Sequence, residues 1–199
     1  SLYGMGYRKG DLVAIYMKSS IEFVAAFYAL AKLGLIVVWV NPLYRKSEAQ
    51  FILKNSGAKG VLVFREWEGY NYLDSITAMR DKLPDLQHVI VAGKGDREGV
   101  VCFEDLTNPE HEMCFTPQSI DSKSDLSMLI YTSGTTGNPK GAMITHYQAI
   151  RAGWEYSQGV DAKPEDIFIG VLPMSHSYGC GAILIQPLLI QSTVVLMDK

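Results

Sequence analysis

Residues 131–141 carry the residue types that bind phosphate. They include three glycines, four serine or threonine residues and a single lysine, Lys140. Glycines allow successive backbone N–H groups to turn into one concavity, and such a concavity binds phosphate oxygens. The hydroxyl groups add further donors, and the lysine adds a positive charge. The segment therefore predicts a phosphate-binding loop; the alternative is an ordinary glycine-rich surface loop.

The position of the lysine argues against the commonest phosphate-binding motif. In that motif, G-x-x-x-x-G-K-[ST], the lysine directly follows a glycine and precedes a hydroxyl residue. Here Pro139 precedes Lys140, and Gly141 follows it. A P-loop kinase or GTPase is therefore disfavoured.

Other candidate groups are less informative. Gly93 and Gly95 hint at a dinucleotide-binding fingerprint, but the next glycine, Gly99, lies one residue too late for it. His111 and Cys114 lack the further ligands that a metal site needs. We therefore predict neither a dinucleotide site nor a metal site from these residues.

Strands and helices alternate along the chain, and this order indicates how the segments are positioned. The spacing Ser19-x-x-Glu22 is that of a capping box, and Gly34 and Gly57 suit helix ends. Repeated strand–helix–strand units predict an α/β fold with mostly parallel β-sheets flanked by helices. The predicted strands are 12–17, 35–40, 60–64, 88–92, 100–106, 125–132, 141–145, 166–172 and 193–197. The predicted helices are 19–33, 47–55, 73–83, 147–156 and 179–190, the last disturbed by Pro187, with a surface connection near 107–123.

Composition and charge exclude several classes of protein. The chain has 199 residues, of which 48% are hydrophobic and 20% charged, so most of it should be folded. Residues 1–100 hold 13 basic and 10 acidic side chains, and residues 101–199 hold 5 and 11. This balance argues against a nucleic-acid-binding protein. Phosphate binding near Lys140 must then depend on backbone groups, hydroxyls and that lysine.

Cysteine content and apolar runs bear on the compartment. Cys102, Cys114 and Cys180 are too few for a disulfide framework, which favours a reducing, cytoplasmic compartment. Cys180 is better explained as a small packing residue than as a nucleophile. The first nine residues lack the apolar stretch of a signal peptide, and no apolar run approaches the roughly 20 residues of a transmembrane segment. Peripheral membrane contact and the oligomeric state stay open.

Residues 132–141 resemble the signature loop of the adenylate-forming superfamily, which includes acyl-CoA synthetases, luciferases and the adenylation domains of peptide synthetases. Three further segments are similar to segments of that superfamily: 33–44, 55–59 and 172–179. The likeness covers nearly the whole chain and is closest to fatty-acid–CoA ligases. It implies that residues 1–199 are part of the large N-terminal, AMP-binding domain of such an enzyme.

The resemblance implies a two-step reaction. ATP would activate a carboxylic acid to an acyl-adenylate with release of pyrophosphate, and the thiol of coenzyme A would then displace AMP. The acid is already ionised at neutral pH, so the first step needs charge neutralisation rather than a general base. By the same resemblance, the β- and γ-phosphates of ATP would contact Thr132, Ser133, Gly134, Thr135, Thr136, Gly137 and Lys140.

The resemblance also assigns an acyl site. His176 would be a second catalytic residue beside Lys140, because it would orient or gate the carboxylate. Tyr178, Gly179 and Gly181 would line the acyl pocket. Two alternatives stay open: a loop histidine bonded to backbone, and glycines that only permit close packing.

The substrate class follows from the residues around His176. In the superfamily that this chain resembles, the adenylation domains of peptide synthetases use an aspartate shortly after this loop to pair with the ammonium group of an amino acid. Here no Asp or Glu occurs from Ile167 to Met197. Residues 179–185 are apolar, which favours a medium- or long-chain fatty acid. An aryl or alicyclic acid is the second candidate, and a non-catalytic nucleotide-binding fragment is the third.

The resemblance places the remaining functional groups beyond Lys199. These are a glutamate that would hold magnesium, an aspartate that would bind the ribose, a hinge and a lysine of the C-terminal domain. We therefore expect ATP, magnesium and coenzyme A to serve the full-length enzyme, and this chain alone to be inactive.

Overall fold

The structure, a computed structural model, describes residues 2–93, 95, 97–108, 118–132 and 139–197. Within these ranges the strands are β1 (Leu12–Tyr16), β2 (Ile36–Trp39), β3 (Gly60–Phe64), β4 (Glu66–Trp67), β5 (Tyr70–Asn71), β6 (His88–Ala92), β7 (Val100–Cys102), β8 (Leu126–Thr132), β9 (Lys140–Thr145), β10 (Ile167–Gly170) and β11 (Thr193–Leu196). The helices are α1 (Ile21–Lys32), α2 (Lys46–Ser56), α3 (Tyr72–Thr77), α4 (Phe103–Thr107), α5 (His146–Gly159), α6 (Ser177–Gly179) and α7 (Gln186–Ile190). None of these described helices is long and apolar enough to cross a membrane.

Seven of the described strands form one central sheet, in the order β7-β6-β3-β1-β2-β8-β9. β9 runs antiparallel to β8, and all other neighbours in this sheet are parallel. The predicted α/β fold, with a mostly parallel sheet flanked by helices, is confirmed. Because parallel strands share one direction, the carboxyl ends of β2 and β8 meet at the same edge of the sheet.

Apolar layers cover both faces of this sheet. On β1, Val13 and Ile15 belong to one layer, whereas Ala14 and Tyr16 belong to the other, as expected when side chains alternate along a strand. Helix α1 covers the first face, and α2 and α3 cover the second. Burying each large apolar side chain contributes roughly 1.5–3 kcal/mol, so two packed faces fix the register of the strands.

The ends of α1 and α2 follow local signals, with one correction. Ser20, not Ser19, is the N-cap of α1, and its Oγ accepts a hydrogen bond from the backbone N–H three residues later at 3.1 Å. The predicted cap is wrong by one residue because Ser19 Oγ instead accepts from the N–H of Met174 at 3.0 Å. Gly34 and Gly57 end the helices as predicted, with φ of 69° and 68° that glycine adopts readily.

Three segments differ from their predictions. The strand predicted over 100–106 ends after β7, and α4 follows it. The stretch 65–84 contains the β4–β5 hairpin, α3 and a 3₁₀ turn at Arg80–Lys82 rather than one loop and one helix. The helix predicted over 179–190 begins two residues earlier, and its centre, Cys180–Ile185, is π-helical. The predicted disturbance lies next to Pro187: the helix is π-helical up to Ile185, two residues before the proline, and returns to α-helical geometry in α7, where Pro187 lies in the first turn.

A second, two-stranded sheet pairs β10 with β11 in parallel. Its inner face packs on the π-helical segment, where the Cα of Gly170 faces Ile183 and Leu196. Helix α5 packs on the same segment from another side through Gly153, which faces Ile185. The segment Cys180–Ile185 therefore joins the second sheet to the helix that follows β9.

Candidate functional site

A cleft of about 300 Å³ lies at the carboxyl-terminal edge of the central sheet. Three separate stretches of sequence line it: the residues at and after the end of β2, the end of β8, and the loop before α6. The lining residues are Trp39, Asn41, Tyr44, Ile130, Tyr131, Thr132, Ser175, His176 and Ser177. In open α/β sheets, ligands bind at this edge of the sheet. The fold thus brings residues from 33–44, 131–141 and 172–179 together at one place.

Buried hydroxyl groups fix the first wall of the cleft, residues 41–45. Tyr72 donates a hydrogen bond through Oη to the carbonyl oxygen of Pro42 at 2.7 Å, and Tyr16 donates to that of Tyr44 at 2.5 Å. Burial raises the pKa of both donor tyrosines, so their hydroxyls stay protonated at neutral pH. Two carbonyls of the wall are therefore held from inside the core.

Arg45 closes the same wall from the outside. Its guanidinium donates to the carbonyls of residues 42–44 at 3.1–3.4 Å and stacks over the ring of Tyr70 at 4.5 Å. Its backbone N–H donates to the Glu48 carboxylate at 3.3 Å, so Arg45 also begins α2. Wall and helix are therefore one connected unit.

The second wall is the base of the β8–β9 hairpin. Thr132, the last residue of β8, pairs with Lys140, the first residue of β9. Both side chains are exposed, and among the described residues no carboxylate pairs with the lysine ammonium. The other predicted phosphate contacts lie outside the described residues and stay predictions: Ser133, Gly134, Thr135, Thr136 and Gly137.

Tyr131, the residue before Thr132, ties the hairpin base to α2. It pairs with Gly141 across the hairpin, and its ring covers that glycine so closely that an added Cβ would lie 3.2 Å from it. Tyr131 Oη donates to Oδ1 of Asn55 at 2.7 Å. Burial raises the pKa of the Tyr131 hydroxyl, so it remains a donor at neutral pH.

The third wall is the loop that contains His176. Ser19 anchors the loop through the N–H of Met174, and His176 is exposed at its end. His176 Nδ1 accepts a hydrogen bond from the N–H of Tyr178 at 3.3 Å. In a neutral ring, an accepting Nδ1 leaves the proton on Nε2, which is then a donor. His176 is thus bonded to backbone, as one alternative predicted, and lines the cleft as well.

The described lining of the cleft leaves out Tyr178, Gly179 and Gly181. Tyr178 packs edge-on against Tyr156, with 5.2 Å between ring centroids. A side chain at Gly179 would overlap the Pro173 carbonyl, and one at Gly181 would overlap the ring of Tyr156. The two glycines therefore permit close packing, and the acyl-pocket role of all three residues stays a prediction.

An aromatic and sulfur cluster forms the floor of the cleft. Trp39 is 2% exposed, stacks on Phe23 with 5.0 Å between ring centroids, and donates through Nε1 to Sδ of Met128 at 3.1 Å. Cys180 Sγ lies 3.8 Å from the same sulfur, and burial raises the pKa of its thiol to about 12. A protonated, buried thiol is a poor nucleophile, which agrees with the packing role predicted for Cys180.

Sequence reasoning missed several lining residues. Ser175 and Ser177 flank His176, and Tyr131 precedes Thr132, so nearness to predicted residues was the available signal. Trp39 carries no such signal, because a tryptophan in an apolar strand is typical of a core. In the part of the chain that the structure describes, no cluster of three or more His, Cys, Asp or Glu could hold a metal ion.

Comparison with known families matches residues 1–199 to the family described as AMP-binding enzyme, and the chain belongs to that family. It is 30% identical over 205 residues to 4-coumarate–CoA ligase 3 of Arabidopsis thaliana, covering 100% of this chain and 34% of the relative. It is 31% identical over 201 residues to the crotonobetaine/carnitine–CoA ligase of Salmonella heidelberg, covering 99% and 38%.

Comparison with a solved structure agrees with the family match. The crystal structure of the anthranilate CoA ligase AuaEII in complex with anthranoyl-AMP superposes with a TM-score of 0.83 at 29% identity, over 100% of this chain and 37% of that one. The predicted resemblance to adenylate-forming enzymes is confirmed. The chain spans between a third and two fifths of the length of these relatives.

Proposed function

We propose that the full-length protein carrying this chain is an acid–thiol ligase for a hydrophobic carboxylic acid, foremost a medium- or long-chain fatty acid. ATP and the acid give an acyl-adenylate and pyrophosphate; coenzyme A then gives the acyl-CoA and AMP. The observation that carries this proposal is the convergence of three family segments on one cleft. Family membership supports the ligase chemistry.

Adenylation is a problem of charge. A carboxylate oxygen forms a bond to the α-phosphorus while the bond from that phosphorus to the bridging oxygen breaks, and pyrophosphate leaves with the electron pair. The acid, with a pKa near ~4, is ionised already, so the barrier lies in bringing anions together and stabilising the leaving group. Lys140 offers its ammonium, and Thr132 its hydroxyl, at the hairpin base. These are the groups that we assign to the leaving pyrophosphate.

His176 is the group that we assign to the acid. Because Nδ1 is engaged by the N–H of Tyr178, the neutral ring donates from Nε2. A carboxylate held by this donor would be oriented for attack on the nucleotide. In the second step the thiol sulfur of coenzyme A forms a bond to the acyl carbon, the carbon–oxygen bond to AMP breaks, and the thiol proton passes to solvent.

An apolar acyl group is supported by the surroundings of the loop. The chain carries no Asp or Glu from Ile167 to Met197 that could pair with an ammonium group, and most of Cys180–Ile185 is buried. Beside that segment a cavity of about 570 Å³, lined mainly by apolar side chains, opens between α1, Pro187 and β11. Such surroundings favour a hydrocarbon tail over an amino acid.

An aromatic acid is the second candidate. Two of the three relatives named above are named for aromatic acids, 4-coumarate and anthranilate. An aryl group needs the same absence of buried charge as an alkyl chain. The choice between the two depends on pocket length, which only a substrate series tests.

Acid-dependent exchange of labelled pyrophosphate into ATP tests the proposal. The full-length protein would be assayed with magnesium against fatty, aryl, alicyclic and amino acids, followed by detection of AMP and acyl-CoA. We expect the fastest exchange with a fatty acid, and none with this chain alone. Exchange with an amino acid and with no fatty or aromatic acid would overturn the proposal. ATP binding without exchange for any acid would favour the non-catalytic alternative.

A further inference from the structure

One side-chain hydrogen bond joins the hairpin base to helix α2 across a long sequence separation. Tyr131 and Asn55 lie 76 residues apart, yet Tyr131 Oη donates to Asn55 Oδ1 at 2.7 Å. Asn55 lies in the last turn of α2, two residues before the left-handed Gly57 that ends the helix. The acceptor is therefore held by a helix of defined length and a fixed end.

The same helix begins at the first wall of the cleft. Arg45 is its N-cap and holds the carbonyls of residues 42–44. α2 thus contacts the first wall at its start and the second wall, through Asn55, at its end. A displacement of Tyr131 relative to α2 would change the spacing between the two walls.

Strand pairing inside the hairpin couples the position of Tyr131 to that of Thr132 and Lys140, the residues proposed to bind phosphate. Tyr131 pairs with Gly141, and the next pair along the ladder is Thr132 with Lys140. Gly141 has no side chain, so the Tyr131 ring lies directly over it at 3.2–3.5 Å from an added Cβ. The ring and the strand pairing leave little freedom for Lys140 to move independently of Tyr131.

We propose that Tyr131 is a positioning residue for the phosphate-binding hairpin and that Asn55 is the acceptor through which it acts. This inference depends on the proposed function, because it assigns Tyr131 to the nucleotide step of that reaction. Tyr131 does not donate to the nucleotide itself, since its hydroxyl is engaged by Asn55. Its role is to set where Thr132 and Lys140 stand relative to α2.

The test removes the bond from either side in the full-length protein. Tyr131→Phe keeps the ring over Gly141 but lacks the donor, and Asn55→Ala lacks the acceptor. We expect each to lower kcat/KM for ATP in pyrophosphate exchange by roughly fivefold to tenfold, the factor that one lost hydrogen bond gives. Thioester formation from supplied acyl-adenylate involves no β- or γ-phosphate, so the lost bond should change it by less than about twofold. Tyr147→Phe on the exposed face of α5 is the matched control.

A role in stability alone would give a different pattern. Asn55→Asp keeps an accepting oxygen, so it should lose clearly less activity toward ATP than Asn55→Ala. The double variant that combines Tyr131→Phe with Asn55→Ala should lose no more activity toward ATP than either single variant, because both changes remove the same bond. If Tyr131→Phe does not fold, Asn55→Ala and Asn55→Asp provide the same comparison.

Three results would overturn the inference: unchanged kcat/KM for ATP, equal loss in both half-reactions, or additive losses in the double variant. A wild-type protein without exchange for any acid would instead reject the proposed function. The two failures are therefore distinguishable.

Discussion

The first and second of the three walls of the cleft differ in what holds them in place. Residues 41–45 are held by two buried tyrosine hydroxyls and by a guanidinium that reaches three carbonyls. The hairpin base is held by strand pairing and by the bond from Tyr131 to Asn55, which lies near the surface. The two side chains that we propose to bind phosphate, Thr132 and Lys140, are exposed.

This difference separates residues that stabilise the fold from residues that we propose to contact the substrates. In the first wall the polar groups satisfy one another, so a change there removes bonds that the fold itself uses. In the second wall the exposed side chains of Thr132 and Lys140 remain available to a ligand, so a change at either should affect binding or rate and leave the fold intact. Substitutions in the two walls should therefore divide cleanly between stability and activity.

Lys140→Ala should give the largest effect on activity and almost none on stability. Removing one preorganised group that stabilises a leaving anion typically lowers the rate by roughly 10²–10³-fold. We expect a loss of about 100-fold or more in pyrophosphate exchange on that basis, with thioester formation from supplied acyl-adenylate nearly intact. Lys54→Ala, an exposed lysine of α2, is the matched control and should keep full exchange. Equal loss in both half-reactions would contradict a role at the phosphates.

Ser19→Ala should have an intermediate effect confined to the acid. The change removes the acceptor for the Met174 N–H and so loosens the loop that carries His176. Losing one such bond corresponds to roughly fivefold, and we expect KM for the acid to rise by about that factor while KM for ATP stays constant. Steady-state kinetics with each substrate varied would check this, with Ser20→Ala as the control that removes the α1 cap but not the loop anchor. A rise in KM for ATP alone would refute the assignment of this loop to the acid.

The contrast between the walls also explains what the sequence could predict. Local apolar periodicity and glycine conformations can be inferred from the sequence. They determine the parallel sheet, the helix ends at Gly34 and Gly57 and the strand before Lys140. Placing the segments 33–44 and 131–141 at one edge follows from the parallel pairing of β2 with β8. These parts of the fold and site were predictable for physical reasons. The segment 172–179 follows β10 of the second sheet, so its place at the cleft does not follow from that pairing.

Long-range side-chain bonds were not predictable. The spacing of Ser19 and Glu22 fits a capping box and predicted Ser19 as the α1 cap. In the structure the Ser19 hydroxyl instead accepts a hydrogen bond from the N–H of Met174, 155 residues away. Tyr131 and Asn55 likewise have no local signal for their bond. The π-helical segment Cys180–Ile185 packs against α5 and β10, and single-sequence periodicity contains neither contact.

Tyr72→Phe should reverse the pattern of Lys140→Ala. It removes the buried donor to the Pro42 carbonyl, while Arg45 still donates to that oxygen at 3.4 Å. We expect a loss of about 1 kcal/mol in stability, or at most roughly 2–4 °C in melting temperature, with activity within about twofold. Thermal unfolding of the full-length protein would measure it against Tyr147→Phe. A large loss of activity at unchanged melting temperature would mean that the first wall takes part in chemistry.

The smallest expected effect is a pH dependence of stability on the hairpin side, to which the tyrosine donors of the first wall do not contribute. His146 follows β9, its Nε2 is buried without a described partner, and burial lowers its pKa, opposed by Asp125 and reinforced by Lys9. Because its folded pKa lies below the unfolded value of about 6.5, the unfolded chain binds more protons as pH falls below that value, and stability decreases. The donors of the first wall, Tyr16 and Tyr72, stay protonated throughout this range.

Urea midpoints at pH 7.5 and 5.5 should therefore differ less in His146→Gln than in wild type. Part of the difference should remain, because burial also lowers the pKa of His88. An unchanged slope in His146→Gln, or an equal reduction in the exposed-histidine control His176→Gln, would show that the hairpin side is no more sensitive to pH than the wall.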